Sequence, residues 1–190
     1  MNTIRFLWIL IFVASTAQAQ EWVMNHIPDS SNAGAALPAD FTQTIEKEVA
    51  GSFNMPVTGL MFQNVYTGLR DSLASLLGKV TMVSIWTTTC RPCVAEMPIL
   101  CAVQSELGAK GFMLLTVSAE DTARQRKFFE VKSPNHGGII GSMRIEDYKY
   151  PFQCLLNPSG YIIDRQGILR DFWTGPRTHD ELVARITKYL

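Results

Sequence analysis

Val80-Thr81-Met82-Val83-Ser84-Ile85-Trp86-Thr87-Thr88-Thr89-Cys90-Arg91-Pro92-Cys93-Val94-Ala95-Glu96-Met97-Pro98 passes from an apolar run, through two cysteines two residues apart, into a helical pattern. Val80 to Trp86 reads as a strand buried on both faces, as in a sheet flanked by helices. Beyond the cysteines, Val94, Met97, Leu100, Cys101, Val103, Gln104 and Leu107 keep helical spacing up to Gly108, the expected stop. Pro92 fits the first turn, where its missing N–H is not needed, whereas Pro98 removes an interior hydrogen bond and bends the axis. Two thiols at a helix start can close a small disulfide and reopen it. The unpaired N–H groups and the positive dipole end favour thiolate at Cys90, the expected nucleophile, and Cys93, one turn further in, is the expected resolving thiol. Arg91 adds positive charge beside Cys90, and it reads equally as a solvated surface arginine. A zinc site would need four ligands, but the chain has no second Cys-x-x-Cys, and His26, His136 and His179 are scattered. An inert structural disulfide is the remaining alternative to a redox pair.

Working outward, Phe112 to Val117 reads as a second buried strand, followed by Ala119-Glu120-Asp121 and a helix from Thr122 to about Val131. Strand, helix, strand, helix argues for an α/β sheet with parallel pairing at its centre. Ser133 to Gly141 reads as loop. Tyr161 to Ile163 and Ile168 to Trp173 read as strands joined by the turn Asp164-Arg165-Gln166-Gly167, ended by Gly175-Pro176. Thr178 with Glu181 forms a capping box for a last helix striped by Leu182, Ile186 and Leu190. On the N-terminal side, Leu60 to Val65 reads as a strand, Leu69 to Leu77 as a turn or helical piece, and Gly78-Lys79 as a tight turn. Asp40 is the expected cap of a short helix over Phe41 to Val49, broken by Gly51 and Pro56, and Asp29 to Ala39 reads as loop.

Arg5, the apolar run Phe6 to Ala14 and the small-x-small site Ala17-Gln18-Ala19 read as a signal peptide over residues 1–19, cleaved after Ala19. The run falls short of the roughly 20 residues of a spanning helix, so an uncleaved membrane anchor is the lesser reading. Seventeen basic against seventeen acidic side chains, without a basic block, imply no nucleic-acid partner. Four cysteines are few for a disulfide scaffold. Cys101 and Cys154 read as small buried hydrophobes or as a second, structural pair.

The pattern resembles the thioredoxin superfamily, and within it the exported TlpA, ResA and DsbE (CcmG) branch of thiol:disulfide oxidoreductases. Trp86 to Pro98 is similar to the branch signature Trp-Ala-x-Trp-Cys-x-x-Cys-x-x-Glu-x-Pro, Gly78-Lys79-Val80 also matches, and Pro158 followed by Tyr161 to Ile168 resembles its Pro-x-x-x-hydrophobic-hydrophobic-Asp-x-x-Gly-x-Ile segment. The resemblance implies a thioredoxin-like α/β sandwich, a central mixed sheet flanked by helices, over residues 61–190, with residues 20–60 as an N-terminal extension that is partly loop and has no assigned role.

It also implies a cis proline against the active disulfide, assigned to Pro158 over its rival Pro151, with Asn157 offering backbone to a bound substrate chain beside Arg91 and Pro92. Glu96, three residues after Cys93 and near the same side of the helix, is placed to take a proton from Cys93; burial would raise its pKa into a useful range, while the plain alternative is a solvent-facing helix glutamate. Two positions depart from the pattern. Thr89 stands where the branch has Trp, so an aromatic lip is missing, and Ser84 stands where thioredoxins carry a buried Asp. Trp86 is expected in the core beneath the site, with His136 in a loop and His179 exposed in the last helix.

The expected function is thiol–disulfide exchange in the periplasm or another exported location. It would run as a reductase of exported proteins, in the manner of cytochrome c maturation, recharged by a membrane-bound electron donor, with no cofactor beyond the Cys90–Cys93 pair. The alternatives are a copper-handling module holding Cu(I) on the two thiolates and a non-catalytic interaction domain. A peroxidase fits less well, since the Pro of its Pro-x-x-x-Thr/Ser-x-x-Cys setting is missing.

Overall fold

The computed structural model describes residues 39–148, 151–152 and 156–190. The expected signal peptide, residues 20–38 of the extension and Cys154 lie outside the described residues.

Every residue of β3 (Val80–Ile85) is buried. Successive side chains leave a strand on opposite faces, and here Val83 and Ile85 enter one apolar cluster while Val80 and Met82 enter the other. That double burial is why the strand reads as a continuous apolar run rather than an alternating one. β3 runs parallel to β4 (Phe112–Ser118) and antiparallel to β6 (Ser159–Ile163). With β1 (Met61–Asn64), β2 (Arg70–Ser72), β5 (Ile139–Ser142) and β7 (Leu169–Thr174), the sheet has the order β2-β1-β5-β4-β3-β6-β7. Three central strands are parallel and the flanks antiparallel, a mixed thioredoxin-like sheet.

Helices cover the face that carries Met82, Leu114 and Ile162. Met97, Leu100, Val103 and Leu107 come from α2 (Arg91–Leu107), Phe129 from α3 (Thr122–Lys132), and Leu182 and Ile186 from α4 (His179–Thr187). On the other face, Val49 of α1 (Ala39–Ala50), Val57, Leu60, and Leu73 and Leu76 of a short 3-10 turn pack against Val83, Leu115 and Tyr161. Chain preceding Met61 therefore contributes side chains to the same core.

Local expectations and outcome differ in instructive places. α2 passes through Pro98 and ends at Leu107, but Gly108 keeps right-handed helical angles and the reversal falls at Gly111, with φ 96°. A left-handed residue is what lets the chain turn back into β4, and only glycine adopts it without steric cost. α1 already begins at Ala39, so Asp40 lies inside its first turn instead of capping it. β5 falls within a stretch that reads as loop because of its glycines. Gly141 is packing-determined: a Cβ there would lie 3.2 Å from that of Phe62 on β1. The stretch from Leu69 divides into β2 and the 3-10 turn. The Asp164–Gly167 hairpin and the Thr178–Glu181 capping box form as read.

His136 sits in the loop before β5, yet it is buried edge-to-face on Phe129, with Nδ1 accepting the Gly138 N–H. Burial lowers its pKa from 6.5 to about 4. The unfolded chain therefore binds a proton on this residue between those values that the folded chain refuses, so stability is full above pH 6.5 and declines as pH falls towards 4. At about 1.4 kcal/mol per pH unit, the loss is on the order of 3 kcal/mol. Urea titrations across this range should show the decline, and His136→Phe should remove it while leaving other acid-labile contacts in place.

Candidate active site

Cys90 is the N-cap of α2, with extended backbone angles, and its Sγ accepts the Cys93 N–H at 3.2 Å. The two sulfurs are bonded at 2.04 Å, with Cα atoms 5.3 Å apart. The fold thus brings a helix N-terminus to the outer sulfur. The same N–H that touches Sγ in the disulfide would stabilise a Cys90 thiolate after reduction. Cys90 is partly exposed, and Cys93, one turn in, is buried against the cluster of Trp86, Met97 and Leu100. Reagents therefore meet the first sulfur, and the second is reached only from within. Arg91 and Pro92 are both exposed on the first turn.

The loop between β3 and Cys90 is held by a carboxylate that sequence reasoning did not single out. Glu120, after β4, accepts the Thr88 N–H and the Thr88 hydroxyl, each at 2.7 Å. Arg124, one turn along, donates to Thr88 Oγ1 at 2.9 Å and pairs with Glu120 at 3.2 Å. The Glu120 backbone carbonyl is in turn gripped by Gln125 and Ser142. With its side chain 16% exposed, Glu120 acts as a bracket between the β4–α3 turn and the chain two residues before Cys90. The partners are 32 residues apart in sequence, and no local motif signals them. Thr89 is exposed, and its hydroxyl lies 3.3 Å from that of Thr87, so a polar surface occupies the place of the aromatic lip.

Glu96 is 3% exposed on the inner side of α2, which removes the solvent-facing alternative. Burial raises its pKa, opposed by the Arg177 backbone N–H, which donates to Oε1 at 2.7 Å, and by the Arg177 charge. This contact ties α2 to the loop between β7 and α4. A buried carboxylate one turn beyond Cys93 holds its proton more tightly than an exposed one would.

The cis peptide bond is Asn157–Pro158. Its position follows from register: Ile85, at the end of β3, pairs with Ser159, at the start of β6, so Pro158 emerges at the sheet end from which the chain runs on to Cys90. Pro158 is buried and Asn157 exposed. Pro151 instead accepts a hydrogen bond from Tyr161 through its carbonyl and packs elsewhere, beside Phe152. Ser84 is buried within β3 opposite Gly160, so no carboxylate occupies that position.

Trp86 is buried beneath the site against Phe128 and Phe129. Cys101 carries a free, half-buried thiol whose pKa burial pushes up, which makes it a poor nucleophile. His179 begins α4, partly exposed and paired with Glu106. Among the described residues, no three His, Cys, Asp or Glu side chains gather as a metal site.

Comparison with known proteins agrees with this geometry. Thioredoxin-like protein YneN of Bacillus subtilis is 28% identical over 124 residues, spanning 63% of this chain and 71% of that protein. Thiol-disulfide oxidoreductase ResA of Bacillus cereus is 25% identical over 129 residues, spanning 64% and 69%. The crystal structure of a putative thiol:disulfide interchange protein DsbE from Chlorobium tepidum superposes with a TM-score of 0.63 at 20% identity, covering 72% of this chain and 95% of the other, a likeness of fold. The model of the AhpC/TSA family matches residues 47–179, which include both cysteines, Glu96 and Pro158, and the chain belongs to that thioredoxin-fold family.

Proposed function

We propose that the chain is an exported thiol–disulfide oxidoreductase that reduces disulfides in other exported proteins. The observation that carries this reading is the closed Cys90–Cys93 pair at the start of α2, its outer sulfur accessible and in contact with a helix N–H. In the reduced protein, the Cys90 thiolate attacks one sulfur of a substrate disulfide, forms a mixed disulfide and expels the other substrate sulfur as thiolate. Cys93 passes its proton to Glu96 and attacks the Cys90 sulfur. The second substrate thiolate then leaves, and two electrons have moved from the pair to the substrate.

A donor of two electrons must reset the disulfide, and a membrane-bound thiol carrier suits an exported protein. The pattern over Met1–Ala19 supports export. The resemblance to the ResA and DsbE branch supports substrates of the apocytochrome kind. Asn157 and Pro158, with Arg91 and Pro92, line the approach to Cys90 in this reading, and their place at the β3–β6 end supports it. A peroxidase is disfavoured, because Val83 stands where that chemistry's motif has proline.

The test is the reduction potential of the pair in defined thiol–disulfide buffers, together with trapping by Cys93→Ser. A value near about −270 mV is expected and fits a reductase, whereas one near about −120 mV would make the protein an oxidant. Cys93→Ser should accumulate a mixed disulfide on Cys90 that Cys90→Ser does not form. A pair that never interconverts, with Cys90 resistant to alkylation, would sink the enzyme reading in favour of a structural disulfide.

Glu96→Gln keeps an acceptor for the Arg177 N–H but cannot take a proton. Single-turnover resolution of the mixed disulfide should slow by about 10²-fold, the lower range for a general base, with the formation step unchanged. The folded protein also binds the Glu96 proton more tightly than the unfolded chain, so wild-type stability should fall as pH rises from the ordinary carboxylate value through the raised one. Denaturant titrations over pH should show that this slope is missing in Glu96→Gln.

A further inference from the structure

The N-terminal extension reaches the active-site end of the sheet through β7. This is an edge strand, and its outer side is covered near both ends by chain from before Met61. At its beginning the cover is backbone: the Asn54 N–H donates to the Leu169 carbonyl at 2.9 Å, the Leu169 N–H to the Met55 carbonyl at 3.0 Å, and the Val57 N–H to the Gly167 carbonyl at 2.9 Å. At its far end the cover is a side chain. Glu46 of α1 places Oε1 3.1 Å from the Thr174 backbone nitrogen and 3.2 Å from the Thr174 hydroxyl, accepting from both.

Thr174 pairs with Ser159 across the β6–β7 ladder, and the next residue, Gly175, donates its N–H to the Pro158 carbonyl at 2.8 Å. Alternate amides of an edge strand point in opposite directions. The outward amide of Thr174 is therefore held by Glu46, and the inward amide of Gly175 holds Pro158. Thr174 itself is buried, and a carboxylate accepting two donors there makes a stronger tie than a neutral group would.

We propose that Glu46 is a positioning residue for the Asn157–Pro158 loop, so that the extension sets how firmly the substrate-facing backbone is presented. This rests on the reading of that loop as the strand to which a substrate chain docks. The loop is anchored from two sides of the chain: β6 continues from it, and Gly175 grips it from a strand end whose outward Thr174 amide and hydroxyl are held by Glu46. Loosening Thr174 weakens the second anchor, while Cys90 and Cys93 sit at the start of α2 and, among the described residues, share no hydrogen bond with Thr174 or Glu46. The consequence falls on protein substrates, which need the loop, and spares small disulfides, which need only Cys90.

The experiment uses the full chain with Glu46→Ala, and Glu46→Gln as the conservative variant that keeps an amide oxygen. Amide hydrogen exchange by NMR reads the tie directly. In Glu46→Ala, Gly175 and Thr174 should both exchange about tenfold faster or more, the equivalent of losing one hydrogen bond to a charged group. Glu46→Gln should recover most of the protection. Kinetics on a disulfide-containing unfolded protein should show KM raised several-fold with kcat held, while reaction with a small aromatic disulfide and alkylation of Cys90 stay at wild-type rates.

Three results would overturn the proposal. Gly175 protection could be unchanged in Glu46→Ala, or faster exchange could come with no change in KM for the protein. Equal slowing with the small disulfide would mark a merely structural role. A peptide trapped on Cys90 in Cys93→Ser separates the underlying reading: if the Asn157 amide gains no protection in that complex, the docking role of the loop fails, while faster Gly175 exchange in Glu46→Ala would still support the tie.

Discussion

The antiparallel register of β3 against β6, Ile85 opposite Ser159, is the constraint on which the site depends. It aligns the end of one strand with the beginning of the other, so the chain leaving β3 towards Cys90 and the chain entering β6 through Pro158 share one end of the sheet. Nothing local to either segment could achieve this. The register is held because β3 is buried on both faces, and a slip by one residue would send Val83 and Ile85 to the side of Met82 and reverse every contact. The parallel partner β4 adds a third contribution at the same end, since its continuation supplies Glu120 to the loop before the nucleophile.

Three carboxylates around this end have different jobs, and their surroundings decide which. Glu96 is buried and accepts the Arg177 backbone N–H, and burial outweighs that contact and the Arg177 charge, so its proton is held more tightly. Glu120 accepts two hydrogen bonds from Thr88 and pairs with Arg124, so it braces the loop before Cys90. Glu46 takes both donors of Thr174 at a sheet edge, where an unpaired amide would otherwise be left. The proton-transfer role proposed for Glu96 thus goes with the carboxylate that accepts one hydrogen bond among the described residues, and the bracing of Thr88 and Thr174 with those that accept more.

Much of this was legible from the chain. The apolar run of β3, the two cysteines, the prolines at 92 and 98 and the capping box each depend on neighbours within one turn or a few strand residues, and each appears in the structure as read. Failures occurred where a long-range contact chose the residue. Gly141 reads as the end of a loop, but it lies in β5, where a Cβ would press on Phe62 of a neighbouring strand. Gly108 reads as the helix stop and does cap α2, but the left-handed turn that leads into β4 falls three residues later at Gly111, where the strand must begin. His136 reads as an ordinary loop residue and is buried because Phe129 packs against it.

By itself, the sequence determined the class of chemistry and the layered α/β architecture, because a cysteine pair at a helix start, hydrophobic periodicity and capping are properties of contiguous residues. Only the tertiary structure decided which groups serve the pair. Glu120 reaches Thr88 across 32 residues, Arg177 reaches Glu96 across 81, and Glu46 reaches Thr174 across 128. Such pairings carry no periodic signature. They arise when a sheet brings strand ends together and unpaired backbone donors, excluded from water, must find an acceptor there.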